Sequence, residues 1–124
     1  MIGAQDHGRH VALVIMKNII VATDICETLR AVGGMQCDVI HARCLQEAIE
    51  TIGNPRRIDL AIVEADPDQL ECGPLGEAFR NWGTRVILVG EAAEQRGRER
   101  GFVVLERPFT ANTLEQVLQA ALSE

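Results

Sequence analysis

The sequence predicts an α/β domain built on a five-stranded parallel sheet with helices on both faces. Three observations carry that expectation. The run His10-Val11-Ala12-Leu13-Val14-Ile15-Met16 is apolar without alternation, which suits a central strand buried on both sides. Short apolar strands then alternate with helical periodicity to the end of the chain, a rhythm that implies right-handed crossovers between parallel strands. Finally, Ile58-Asp59-Leu60-Ala61-Ile62-Val63-Glu64 and Gly101-Phe102-Val103-Val104-Leu105-Glu106-Arg107-Pro108 both run an apolar strand into a charge, one acidic and one basic. Open parallel sheets bind ligands at the carboxyl ends of their strands, near the switch in strand order. Glu64 and Arg107 therefore mark a candidate site, and they are expected to meet if their strands lie side by side.

The elements follow in order. Residues 1–9 are small and polar and are read as a frayed leader, leaving 10–124 as one domain. After the first strand, Ile19, Val21, Ala22, Ile25, Leu29 and Val32 recur at helical spacing over residues 18–32, and Gly33-Gly34 stops the pattern. The β-branched opening also allows a strand over 18–22, with a helix of about two turns after it; the longer helix is the reading adopted. Residues 36–42 form a second strand. Leu45, Ala48, Ile49 and Ile52 mark a helix ended by Gly53 and Pro55. Residues 58–63 are the third strand, followed by a loop rich in Asp, Gly and Pro and a short helix over 75–82. Residues 85–89 are the fourth strand. The stretch 91–100 suits a helix in composition but lacks an apolar stripe and contains Gly97, so a weakly anchored helix or mobile loop is expected. Residues 102–105 form the fifth strand, and 113–122 a last helix with Leu114, Val117, Leu118, Ala121 and Leu122 on one face.

Composition narrows the function classes. A chain of 124 residues buries a genuine core without disulfide or metal staples. Its aromatic residues are three Phe and one Trp, which leaves no stacking platform for single-stranded nucleic acid. A formal charge of −6 disfavours phosphate backbones and anionic membranes. Cys26, Cys37, Cys44 and Cys72 have no paired spacing and are expected to be buried, reduced thiols. No apolar run reaches the roughly 18 residues of a membrane span, and no signal-peptide pattern opens the chain, so a cytoplasmic protein is expected. Gly-x-x-x-x-Gly-Lys and Gly-x-Gly-x-x-Gly patterns are missing. Residues 16–24 resemble the opening strand of universal-stress nucleotide-binding proteins, but those need a later glycine-rich phosphate loop that this chain lacks.

The whole chain from about His10 to Leu122 resembles the receiver domain of bacterial two-component response regulators, most closely at Ile58–Glu64 and at Leu105-Glu106-Arg107-Pro108-Phe109-Thr110. The resemblance implies a flavodoxin-like (βα)5 sandwich with strand order 2-1-3-4-5. In the family, the third strand ends in the phosphate-accepting aspartate and the fifth in a lysine before a proline that is typically cis. Glu64 and Arg107 stand in those places, and a cis Arg107–Pro108 bond is implied. The acidic pair that holds magnesium falls on Met16 and Lys17, a thioether and a cation. Asp66 matches a residue that lends its backbone carbonyl to the metal. The hydroxyl that reaches for the phosphoryl group falls on Gly90, and the switching aromatic on Val104, with Phe102 read as core on the same face.

Several expectations follow. Glu64 imitates a phosphorylated aspartate with one fixed charge, flanked by Lys17 and bridged bidentately to Arg107; alternatively it is a solvated strand-end acid in a decayed pocket. Arg96, Arg98 and Arg100, like Arg56 and Arg57, read as solvated charges. Asp59, Asp66, Asp68 and Glu71 read as ordinary loop acids or a weak cation rim. His7, His10 and His41 lack metal-ligand spacing. The resulting reading is a stand-alone receiver-like signalling module, not an enzyme, with no catalytic residue, metal or cofactor. It works by phosphorylation-independent contact with a protein partner and pairs with itself through residues 91–122. A phosphoacceptor using magnesium, with Asp66 or Glu64 as acceptor, is the alternative; a fragment of a larger regulator is a third.

Overall fold

The structure is a computed structural model that describes residues 10–33, 37–52, 58–107 and 110–122. Five parallel strands form one sheet: β1 (His10–Ile15), β2 (Cys37–Ala42), β3 (Leu60–Glu64), β4 (Arg85–Val89) and β5 (Val103–Leu105), in the order β2-β1-β3-β4-β5. The helices are α1 (Ile19–Gly33), α2 (Leu45–Ile52), α3 (Pro67–Cys72), α4 (Pro74–Trp82), α5 (Glu91–Arg96) and α6 (Ala111–Leu122), with a 3-10 turn at Arg98–Arg100. The α/β expectation and the strand order both hold. Among the described residues, no helix is long and apolar enough to cross a membrane.

Side chains alternate across a strand, so each central strand feeds two cores. Leu13, Ile15, Ala61, Val63 and Leu88 pack on one face with Leu70 of α3, Phe79 of α4 and Ala93 of α5. Val14, Ile62, Ile87 and Val89 pack on the other with Ile25 and Leu29 of α1 and Leu114 and Leu118 of α6. Both cores are almost wholly aliphatic: among the described residues, Phe79 is the one buried aromatic side chain.

Residue 18 begins a helix, not a strand. The Asn18 side-chain oxygen accepts hydrogen bonds from the backbone N–H groups of Ile20 (3.0 Å) and Val21 (3.2 Å), satisfying two donors that the first turn of α1 leaves open. Ile19 does not join the apolar stripe; it is 63% exposed, and the buried face begins at Ala22. The loop expected after β3 is instead α3. Asp66 caps it by accepting the Asp68 N–H at 2.8 Å, Pro67 occupies its first turn, and Gly73-Pro74 breaks it from α4. Of the cysteines, Cys26 is buried, and burial pushes its thiol pKa up, whereas Cys44 and Cys72 are exposed, contrary to expectation. The leader 1–9, Arg56-Arg57 and Pro108 lie outside the described residues.

The stretch 91–100 is ordered as helix and 3-10 turn, with Ala93 its one buried helical side chain. Gly97, which weakens the pattern in sequence, lets the helix end lie against the sheet: a Cβ there would stand 2.6 Å from the Ala93 carbonyl oxygen and 2.8 Å from Val104 Cγ2. Ion pairs add the rest of the anchoring. Arg96 pairs with Asp66, Arg100 with Asp68 and Glu71, and Arg98 with Glu106 at 2.8 Å. The expected solvated cluster and acidic rim therefore neutralise one another. Asp59 is elsewhere, accepting the Val11 N–H at 2.9 Å at the amino end of the sheet.

Two outcomes follow from this packing. Leu13→Ala, in the middle of β1, is expected to lower the unfolding free energy by about 3 kcal/mol in urea titration. Hydrogen exchange of amides 91–101 is expected to quicken at high salt while β1 and β3 amides do not, because exposed ion pairs are screened and apolar contacts are not.

Candidate functional site

The strand ends meet at one edge of the sheet because the register is level. Ile15 lies beside Val63, Glu64 beside Val89, and Val89 beside Leu105, so residues 16–17, 64–65, 90 and 106–107 leave the sheet together. A cleft of about 640 Å³ opens there between α1 and α6, lined among others by Met16, Glu64, Arg107 and Thr110. Met16 is 4% exposed and packs into the α1–α6 core, with its N–H on the Ala42 carbonyl at 3.0 Å. Its own carbonyl is 3.1 Å from His41 Nε2, which ties the end of β1 to β2. At the cleft, then, β1 presents an immobilised thioether, followed by exposed Lys17.

Glu64, exposed at the end of β3, accepts the backbone N–H of Lys17 at 3.2 Å. The contact to residue 17 thus runs through its main chain. Gly90 has φ 114° and ψ 170°, a conformation that L side chains rarely adopt, and a Cβ there would sit 3.5 Å from Glu64 Cγ. A side chain at this position would be strained. Glycine permits the turn into α5 through its positive φ, and a Cβ would meet Glu64 only at ordinary contact distance.

The expected Glu64–Arg107 bridge is not formed. In the order β3-β4-β5, β4 lies between the two strands, which separates their ends by about 10 Å at the usual strand spacing. Arg107 turns to Glu94 instead: Oε2 of Glu94 accepts both the Arg107 backbone N–H (2.9 Å) and Nε–H (3.1 Å). These two bonds, the backbone one first, hold the Glu94 carboxyl below its usual range, and the same pairing raises the Arg107 pKa. Glu94 is the site residue that sequence reasoning missed. It stands 13 positions from its partner, on a helix without an apolar stripe to orient it, and no local signal marks it.

Asp66 is committed as well. The Asp68 N–H and the Arg96 guanidinium lower its pKa, in that order, and its carboxylate serves as helix cap and ion-pair partner. The end of β1 offers a magnesium ion no carboxylate, only a buried thioether and a cation, and Asp66 is already bonded. Among the described residues, no three His, Cys, Asp or Glu side chains converge where they could hold a metal ion. Val104 is buried and Phe102 half-buried against the α3–α5 core, on the shared face expected for them.

This fold, with its sheet order and its strand-end cleft, is that of response-regulator receiver domains. The chain aligns with a response regulator from Thermotoga maritima at a TM-score of 0.70 and 17% identity, covering 94% of this chain and 99% of that one. A response regulator receiver domain protein from Clostridium thermocellum aligns at 0.68 and 21% identity, over 92% and 94% of the two chains. An uncharacterized protein from Neptuniibacter caesariensis aligns at 0.69 and 14% identity, over 92% and 87%. No family model matches the sequence, and no curated protein matches it significantly.

The Glu94–Arg107 pair has a pH signature. A carboxylate with a depressed folded pKa contributes stability above its unfolded pKa, and that contribution is lost as pH falls through the folded value. The Glu94 carboxyl carbon is expected to titrate below the ordinary glutamate value of 4.5, with the Arg107 amide resonance following the same midpoint. In Arg107→Gln the midpoint is expected to return toward that value.

Proposed function

We propose that this chain is a receiver-fold signalling module that acts by contact with a protein partner and does not accept phosphate. The observation that carries the reading is the end of β1, where Met16 is buried and Lys17 presents its N–H to Glu64. Phosphoryl transfer to a strand-end carboxylate needs a metal to neutralise the phosphoryl oxygens, and these two residues supply no carboxylate for one. Two further features support it: Gly90 offers no hydroxyl and holds a backbone conformation unfavourable to a side chain, and Arg107 is engaged by Glu94. With Arg107 paired to Glu94 and Glu64 bonded to the Lys17 main chain, the cleft is held by bonds within the domain. Its state is set when the chain folds, so the signal it carries is the presence and accessibility of its surface.

The test is a titration of isotopically labelled protein with magnesium and then beryllofluoride, following backbone amides. Lys17, Glu64, Asp66, Gly90 and Arg107 are expected to show no saturable shift; saturable shifts at these residues would establish a working acceptor pocket and overturn the reading. Glu64→Ala is expected to speed hydrogen exchange at the Lys17 amide several-fold, since it deletes that amide's acceptor. An unchanged Lys17 amide would remove Glu64 from any organising role.

A further inference from the structure

At the amino ends of β4 and β5, away from Glu64, lies a trough of about 740 Å³. It runs between α4 and residues 100–103, floored by Phe79, Val86 and Phe102, with Val103 47% exposed at its open side. The ion pairs of Arg96 and Arg100 hold the crossover from β4 to β5 against α3, and α4 is left as the opposite wall of the trough.

Its lining offers an exposed cation on an acidic protein. The chain carries −6, yet the trough lining holds Arg80, Arg85 and Arg100 beside one carboxylate, Glu71; Arg85 and Arg100 have interactions within the domain, and the cation offered to a ligand is Arg80. Glu71 is taken by Arg100, which Asp68 also engages. Arg80 reaches the Glu71 backbone carbonyl at 3.5 Å, the long limit of a hydrogen bond, and among the described residues no carboxylate pairs with it. An exposed guanidinium beside half-buried Val86 and Phe102, with Phe79 buried beneath them, suits a ligand that brings apolar groups for the floor and a carboxylate for the fork of Arg80. An open trough also favours a chain segment over a small enclosed ligand. The surrounding negative charge disfavours nucleic acid.

We infer that this trough docks an acidic, apolar-anchored segment of a partner protein, with large apolar side chains over Phe79, Val86 and Phe102 and an Asp or Glu on Arg80. The inference rests on the contact-signalling reading and names its surface: α4 and the start of β5, away from the strand-end cleft.

Random peptides displayed on phage, selected on the immobilised full chain, test it. The enriched peptides are expected to place Asp or Glu beside Leu, Phe or Trp, and the corresponding synthetic peptides to bind more weakly as salt rises. Arg80→Glu and Val103→Asp alter exposed side chains and are expected to lower that binding about tenfold each, with circular dichroism unchanged. Enrichment of basic peptides, no enrichment, or binding indifferent to both trough variants would overturn the inference. So would a sedimenting dimer that Val103→Asp disperses, since a second copy would then be the occupant. The magnesium and beryllofluoride titration separates the two claims: a silent cleft with no peptide selected removes the trough alone, and a responsive cleft removes the contact reading whatever the peptides do.

Discussion

Parallel pairing in level register is the constraint from which the rest of this molecule follows. Because Ile15, Val63 and Leu88 lie abreast in adjoining strands, the chain leaves β1, β3 and β4 at one height, and every strand-end residue is delivered to one edge. A slip of one residue in any pair would exchange the two faces of that strand and move half its aliphatic side chains into the wrong core. The cost of that exchange, set by Leu13, Ile15, Val63 and Leu88 on one side and Val14, Ile62 and Ile87 on the other, keeps the register single-valued. The position of the cleft is therefore a by-product of core packing. Its chemistry is free to vary without disturbing the sheet.

The crossover between β4 and β5 obeys a different rule. Most helices here are held by an apolar stripe, but 91–100 buries little beyond Ala93 and is held by arginine–carboxylate pairs to α3. Such pairs are directional and screened by salt, whereas aliphatic burial is neither. The segment is thus ordered by a partner helix whose existence depends on Asp66 as its cap. One residue, Asp66, serves both ends of this arrangement: Oδ1 starts α3 and Oδ2 receives Arg96.

At the cleft, too, local pairing engages the strand-end residues. Glu64 is bonded by a main-chain N–H, Arg107 by Glu94, and Gly90 is bent into positive φ.

Much of this was legible in the chain itself. The unbroken apolar run at residues 10–16, the alternation of strand-length and helix-length segments and the glycine and proline punctuation are local properties, and they determine the α/β class, the five strands and the edge at which Glu64 and Arg107 emerge. Local composition also shows what Met16, Lys17 and Gly90 lack. The partners were decided by the tertiary structure alone. Glu64 does not meet Arg107, because β4 stands between their strands; Arg107 meets Glu94, and the arginines that read as solvated charge meet Asp66, Asp68, Glu71 and Glu106. The physical reason is that periodicity encodes which face of an element is buried, a one-body preference repeated along the chain. Which charge pairs with which depends on the three-dimensional placement of elements that are distant in sequence.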